Sequence, residues 1–538
     1  MSKFKTGSQI FYSFFSTVVF GVILGSLIQT QLNLSALGQL GVPISLNERL
    51  QTSLHDLTNF APVYFILFGL SFLISQSVAV RVAAKLQNGS DSSRKLWCSL
   101  GAAVGLWATF KLVDSLVPMP TLIAATRDFT GQLLMLVPAA LSGYLFASLS
   151  RSARLANNYA PQYKRSFVLV AGVAGLGLLL THADGVQAQQ SEAYKIETVA
   201  EGLRNPWSIA FLPDGRALVT EREGRLRLIQ SDGKLQAATL AGVPAVYSSG
   251  QAGLFDVLVA SNFAQTQEIF LSYACGTRSA NFTCIARGKL SAQGLQDVKE
   301  IFRSQVEKSG NAHYGGRMVL LPDNTLVLTL GDGFDYREQA QNLSNHFGKL
   351  VRINTDGTVP KDNPFTSRKD HKPEIYSYGH RNPQGLAYDA KNNRLIEHEH
   401  GPRGGDEINI IKPGSNYGWP LATYGIDYNG AKISPYTERE GTVQPAMYWT
   451  PSIAASGITV YDGDLFPKWK GNLLVGALAA KQVKRVVLDG NKATEVESLF
   501  KELNERIRDV RTGPGGAIYL LTDSSNGRVL KVSPVSAK

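Results

Sequence analysis

Apolar residues are unevenly spread along this chain, and the unevenness divides it in two. Within the first 181 residues five apolar runs stand out, at 10–27, 60–80, 96–117, 131–149 and 167–180. The first four are long enough to cross a bilayer as helices. The fifth, at about 14 residues, has the length of a signal-peptide core. Buried helices of a globular domain are the alternative, but so many long runs so close together are unusual in a soluble core. From residue 190 onward the pattern becomes short alternating strands separated by Gly- and Asp-rich turns, with no long amphipathic helix.

The second half carries a loose repeat. GRALVTEREGRLRLI, starting at Gly215, has five later counterparts, among them NTLVLTLGDG…GKLVRINTDG and GAIYLLTDSSNGRVLKVSP. Each is a strand, a polar turn of varying length and a second strand. Ala217, Ile269, Leu326, Leu395, Leu473 and Ile518 are equivalent points, at spacings of roughly 45 to 80 residues that suit four-stranded blades with insertions. The reading is an all-β six-bladed β-propeller over 190–538. It follows a four-helix transmembrane region at 1–165 and a fifth apolar segment, signal-peptide-like or anchoring, at 166–189. A pair of β-sandwiches is the structural alternative.

Charge adds an orientation. The formal net charge is +11, but no dense Lys/Arg stripe appears in the second half, which argues against nucleic-acid binding. Lys3 and Lys5, then Arg81, Lys85, Arg94 and Lys95, then Arg151, Arg154, Lys164 and Arg165 flank alternate ends of the runs. The positive-inside rule puts those ends in the cytoplasm and the loops at 30–58 and 118–129 outside. A fifth crossing puts everything after 181 outside as well. Val186-Gln187-Ala188 forms a small-x-small cleavage site after the fifth run. In such a compartment a disulfide between Cys275 and Cys284, which flank a short polar loop, is plausible. Cys98 lies in an apolar run and reads as a small buried residue.

The candidate chemistry is concentrated on the longest insertions. His313, in the Gly-rich GNAHYGG, is a candidate general base for an alcohol proton, with a structural histidine as the alternative. Arg381 and Asn382, in YGHRNPQG, offer a fixed guanidinium and an amide, against an inter-blade salt bridge. Arg506 and Arg508 alternate along a strand and so share a face, which suggests an anion or a solvated surface. The GPRGGDE turn offers main-chain carbonyls at Gly401 and Pro402 and carboxylates at Asp406 and Glu407, with Asp427 following. Carbonyls plus carboxylates are calcium chemistry, although Asp/Gly turns without metal are common.

Together these motifs resemble the soluble quinoprotein sugar dehydrogenases, the glucose and aldose sugar dehydrogenases that use pyrroloquinoline quinone (PQQ) and calcium. The resemblance covers about 195–535 and includes GQAGLFDV, HYGGR, YGHRNPQGLAYD, GPRGGDEIN, NYGWP, WTPSIAASG and RIRDV in order. It implies a six-bladed propeller that oxidises aldoses at C1 to lactones. It further implies His313 as base with Arg381 stabilising charge on the quinone. Gln251, Arg381, Asn382, Ser452, Arg506 and Arg508 would be cofactor contacts, and Gly401 and Pro402 calcium ligands. Glu407, the Tyr417 carbonyl and Asp427 resemble a structural calcium site. Two positions depart from the glucose dehydrogenases: Ala312 replaces an Asp before the base, and Ala479 replaces a cofactor-contacting Lys, with Lys481 two positions on as a substitute. The departures move the match towards the broader aldose group. The expectation is a membrane-anchored enzyme of the inner (plasma) membrane with its propeller facing the periplasm. Its electron acceptor would come from the respiratory chain or be a cytochrome. A non-catalytic sugar- or protein-binding propeller is the rival, and a calcium-dependent lactonase a distant third.

Overall fold

The structure, a computed structural model, describes residues 2–86, 90–116, 121–156 and 192–535. The fifth apolar run, the cleavage motif after it and residues 157–191 as a whole lie outside the described residues.

Five helices come first: α1 (Ser2–Gln39), α2 (Leu46–Asn59), α3 (Ala61–Leu86), α4 (Asp91–Leu116) and α5 (Phe129–Ala156). All except α2 are long and apolar enough to span a membrane. Glycines let some of these helices approach closely. A Cβ on Gly105 would lie 2.6 Å from that of Ser75. The polar α2 starts at a capping box: Ser45 Oγ accepts from the Glu48 N–H at 3.3 Å, and the Glu48 carboxylate accepts from the Ser45 N–H at 2.6 Å. A short 3-10 turn, Ala124–Thr126, precedes α5.

The described chain forms two compact units. One is helical and draws on 2–22, 68–106 and 136–156. The other contains all the β-structure together with the described parts of 23–67 and 107–135.

The β-structure consists of six antiparallel sheets in chain order. The first has three strands (Pro206–Phe211, Ala217–Glu221, Arg225–Ile229) and the others four. All six points aligned in the sequence fall on the second strand of a sheet, so the repeat was read in the right register. The sixth sheet is composite. Ile507–Thr512, Ile518–Thr522 and Gly527–Pro534 are completed by Tyr194–Leu203, which pairs with the last strand from Tyr194 opposite Pro534 to Leu203 opposite Gly527. The first strand of the propeller thus closes the ring against its last and leaves no open seam.

Apolar cores lie between successive blades, for example Leu326, Leu328 and Val351 packed with Phe270 and Ile285 of the preceding sheet. The innermost strands bring charge together. Arg317, 1% exposed, lies 3.1 Å from Asp509 and 3.6 Å from Asp256 and covers the Trp207 ring at 4.1 Å. Arg511 bonds the same two carboxylates at 3.1 and 3.2 Å. Two arginines against two aspartates balance the charge, which is what burial requires. Cys275 and Cys284 are disulfide-bonded across two paired strands, and Cys98 is free and buried.

Candidate active site

Gln251, Tyr314 and Gly315, neighbours of His313, line one cavity, and His313 itself lines a second. The His313 loop ends where the third blade begins, and the backbone there is tight. His313 sits at φ +52°, a left-handed conformation uncommon for a side-chain-bearing residue and enriched at functional sites. Gly331 passes so close to the His313 carbonyl that a Cβ there would collide with it.

The imidazole is fixed from one side. His313 Nδ1 is 2.7 Å from Asp332 Oδ1, and Asp332 Oδ2 accepts from Trp419 Nε1 at 2.8 Å. Its main-chain N–H donates to Gln251 Oε1 at 2.8 Å. Asp332 therefore selects the tautomer that carries its proton on Nδ1 and leaves the Nε2 lone pair for a substrate. Burial and then the Arg381 guanidinium push the His313 pKa down to about 4, against the opposing pull of Asp332. For Asp332 burial acts upward, but His313 and Arg381 outweigh it and hold the carboxyl below its usual range. At neutral pH the pair is a neutral imidazole on a carboxylate, the form a general base needs.

The first cavity, about 690 Å³ of empty space, is lined among others by Gln251, Asn382, His400, Arg222, Arg506 and Arg508. Among the described residues that line it, Asp523 is the one carboxylate. Arg506 and Arg508 donate to that group at 3.1 and 3.2 Å, so three guanidiniums share one acid. Arg508 Nε is buried with no hydrogen-bond partner, an unmet donor that an anionic ligand would satisfy. Trp207 and Phe255 add flat apolar surface. The residues fit a planar polyanion. Asn382 Oδ1 accepts from the Gly315 N–H at 3.3 Å, which leaves its NH2 to donate.

The second cavity holds His313, Asp332, Arg381, Trp419, Phe334 and Tyr428, with Pro402 and Asp427 on its wall. Phe334 lies edge-on to His313 at 4.9 Å and stacks on Tyr428 at 6.3 Å. Arg381 covers the Trp419 ring at 5.4 Å and donates to the Gly401 carbonyl at 2.7 Å.

The other residues singled out in the sequence fall around these cavities. Asp406 accepts from the Gly401 N–H at 3.0 Å and from Ser452 Oγ at 2.7 Å, so Ser452 ties two loops together. Glu407 borders a buried group formed by Glu397, Glu399, His380 and Asn409. Burial, and then Glu399, push Glu397 and Glu407 well above the usual carboxylate range. The Tyr417 ring stacks on His380 at 4.7 Å. Asp427 faces Arg337 at 3.7 Å. Lys481 is exposed and is not on the wall of either cavity. The sequence reading missed Asp332, Trp419 and Arg222. Trp419 lies within the NYGWP motif, but nothing in the sequence assigned it to the site.

A propeller carrying a buried histidine–aspartate pair in an aromatic cavity, with a second cavity lined by arginines, has the make-up of an oxidoreductase. Comparison with known proteins is specific. The Glucose / Sorbosone dehydrogenase family model matches residues 203–531, and the chain belongs to that family. It is 46% identical over 346 residues to aldose sugar dehydrogenase YliI of Escherichia coli K12, covering 63% of this chain and 92% of that one. It is 29% identical over 427 residues to quinoprotein glucose dehydrogenase B of Acinetobacter calcoaceticus, covering 64% and 88%. The solved PQQ-bound form of aldose sugar dehydrogenase from Streptomyces coelicolor superimposes with a TM-score of 0.52 at 28% identity, over 64% of this chain and 99% of that one.

Proposed function

We propose that the propeller, residues 190–538, oxidises an aldose at C1 to its lactone with PQQ in the arginine-lined cavity. The carrying observation is the buried His313–Asp332 pair, a neutral imidazole on a carboxylate, lining the aromatic cavity. Arg222, Arg506 and Arg508 would hold the acid groups of the cofactor, with Gln251 and Asn382 beside them. The carbonyls of Gly401 and Pro402 would hold a calcium ion. Bound there, PQQ would supply the hydride acceptor and calcium a Lewis acid.

The chain's own side chains do the remaining work. Phe334, Trp419 and Tyr428 offer apolar faces for a sugar ring. His313 Nε2 takes the C1 hydroxyl proton, and Asp332 stabilises the imidazolium that forms. Loss of that proton and of a hydride from C1 leaves the lactone carbonyl. Arg381 sets positive charge where negative charge develops.

The same reading places the helices in the plasma membrane and the propeller in the periplasm. What supports it is the distribution of Lys and Arg, together with contacts to the propeller from α2 and from residues 121–127, two stretches that the charges put outside. The test is dye-linked oxidation of an aldose panel by the full chain, with and without PQQ and calcium. Turnover that needs both, and is abolished by His313→Ala while quinone absorbance is retained, is the expected result. Unchanged turnover in His313→Ala would remove that residue from the mechanism.

A further inference from the structure

The aromatic cavity is not built by the propeller alone. Thr121, Ala124 and Arg127, from the stretch between α4 and α5, line it together with His313 and Trp419. Ile123 to Thr126 are all buried, none more than 7% exposed.

The stretch is held in place by specific polar bonds. Arg127 donates to both carboxylate oxygens of Glu338, at 3.0 and 3.2 Å, and to the Asp335 carbonyl at 3.3 Å. Glu338 also receives Arg337 at 2.9 Å, and Arg337 reaches back to Asn33 of α1 at 3.1 Å. The two arginines outweigh burial and hold Glu338 down at about 2, so the network stays charged. Asn429 Nδ2 donates to the Leu122 carbonyl at 2.8 Å. Asp56 of α2 accepts from the Lys432 N–H at 2.9 Å and from Thr30 of α1 at 2.6 Å. Leu34, Leu37 and Val42 pack on Leu421. Buried charges paired across separate segments fix one arrangement, because breaking any pair strands a charge.

These contacts fall on two propeller segments, residues 335–338 and the insertion 419–436, and the insertion supplies Trp419, Asp427 and Tyr428 to the same cavity lining. We infer that residues 121–127 are a specificity-determining wall of the sugar site, completing the cavity over His313 so that it admits a single aldose ring and excludes longer chains. The space between these residues is small, about 350 Å³ with the part open to solvent counted in. Ala124 is the residue through which the wall is tuned, because a larger side chain there would project into the sugar. Arg127 is a positioning residue: it holds the wall to Glu338. The inference rests on the sugar-oxidising reading proposed above.

The test uses the full chain in lipid nanodiscs, loaded with PQQ and calcium, assayed with one dye on glucose, maltose and maltotriose. Ala124→Trp should raise the glucose KM at least tenfold while the quinone absorbance stays that of the parent. Arg127→Ala should raise the maltotriose-to-glucose ratio of kcat/KM at least tenfold. Unchanged KM and unchanged ratio in both variants, with the parent active, would overturn the wall. Docking has its own readout, independent of turnover and of whether Arg127→Ala folds. Arg127→Cys combined with Glu338→Cys should join through a short bis-maleimide in native membranes, and failure to join would overturn the inference by itself. Joining in the double-cysteine variant together with a parent that oxidises no sugar would overturn the proposed function and, with it, the wall's role in selecting sugars.

Discussion

At the scale of single residues, the proposed chemistry rests on one buried imidazole. His313 carries a pKa of about 4 because burial and Arg381 oppose its charged form. A group whose folded pKa lies below its unfolded value binds fewer protons when folded, so stability is complete above the unfolded value and declines as pH falls towards the folded one. Two outcomes follow. The acid limb of kcat should lie well below pH 6.5, towards 4, and the melting temperature should fall on acidification through the same window. Asp332→Asn removes the group that fixes the tautomer. It should lower kcat about 10²- to 10³-fold with the fold intact, as stopped-flow measurement and circular dichroism would show. His313 was legible in the sequence because its loop is small and Gly-rich. Asp332 was not, because an Asp between glycines reads first as a turn residue. Only the fold brings it within 2.7 Å of the ring.

At the scale of elements, the strand Ile507–Thr512 and the residue before it place two arginines against one carboxylate, and alternation along the chain did reveal that shared face. Arg508→Ala should weaken PQQ binding about 10- to 100-fold, the worth of one charge-assisted hydrogen bond, measured by titrating quinone absorbance. Weakening no greater than that of a surface Lys→Ala control would remove Arg508 from the cofactor site. The hairpin joined by Cys275 and Cys284 closes a short loop, sequence separation 9. Replacing both by Ser should cost about 2–3 kcal/mol, read as an earlier urea midpoint, with KM for the sugar unchanged. The polar helix α2 was invisible as an element. Its capping pair Ser45 and Glu48 is a sequence signature, but α2 lies in a stretch first read as a loop between spans. Its burial against the insertion depends on contacts hundreds of residues away, such as Asp56 with Lys432.

At the scale of the whole molecule, the six repeats were legible because each blade repeats the same strand-turn-strand pattern, and the apolar runs were legible by length alone. The ring closure was not. Nothing local in YKIETVAEGL marks it as the outer strand of the last blade, since its partner, Gly527–Pro534, is at the far end of the chain. That closure carries a schedule. During synthesis the strand Tyr194–Leu203 emerges early and waits for roughly 330 further residues, some tens of seconds at about 5–20 residues per second. Until translation ends, the ring is open and the arginines of the last blade have not joined the cavity. On the reading proposed above, capture of a cofactor by that cavity would therefore be a late event in the life of each molecule, waiting on the final strand.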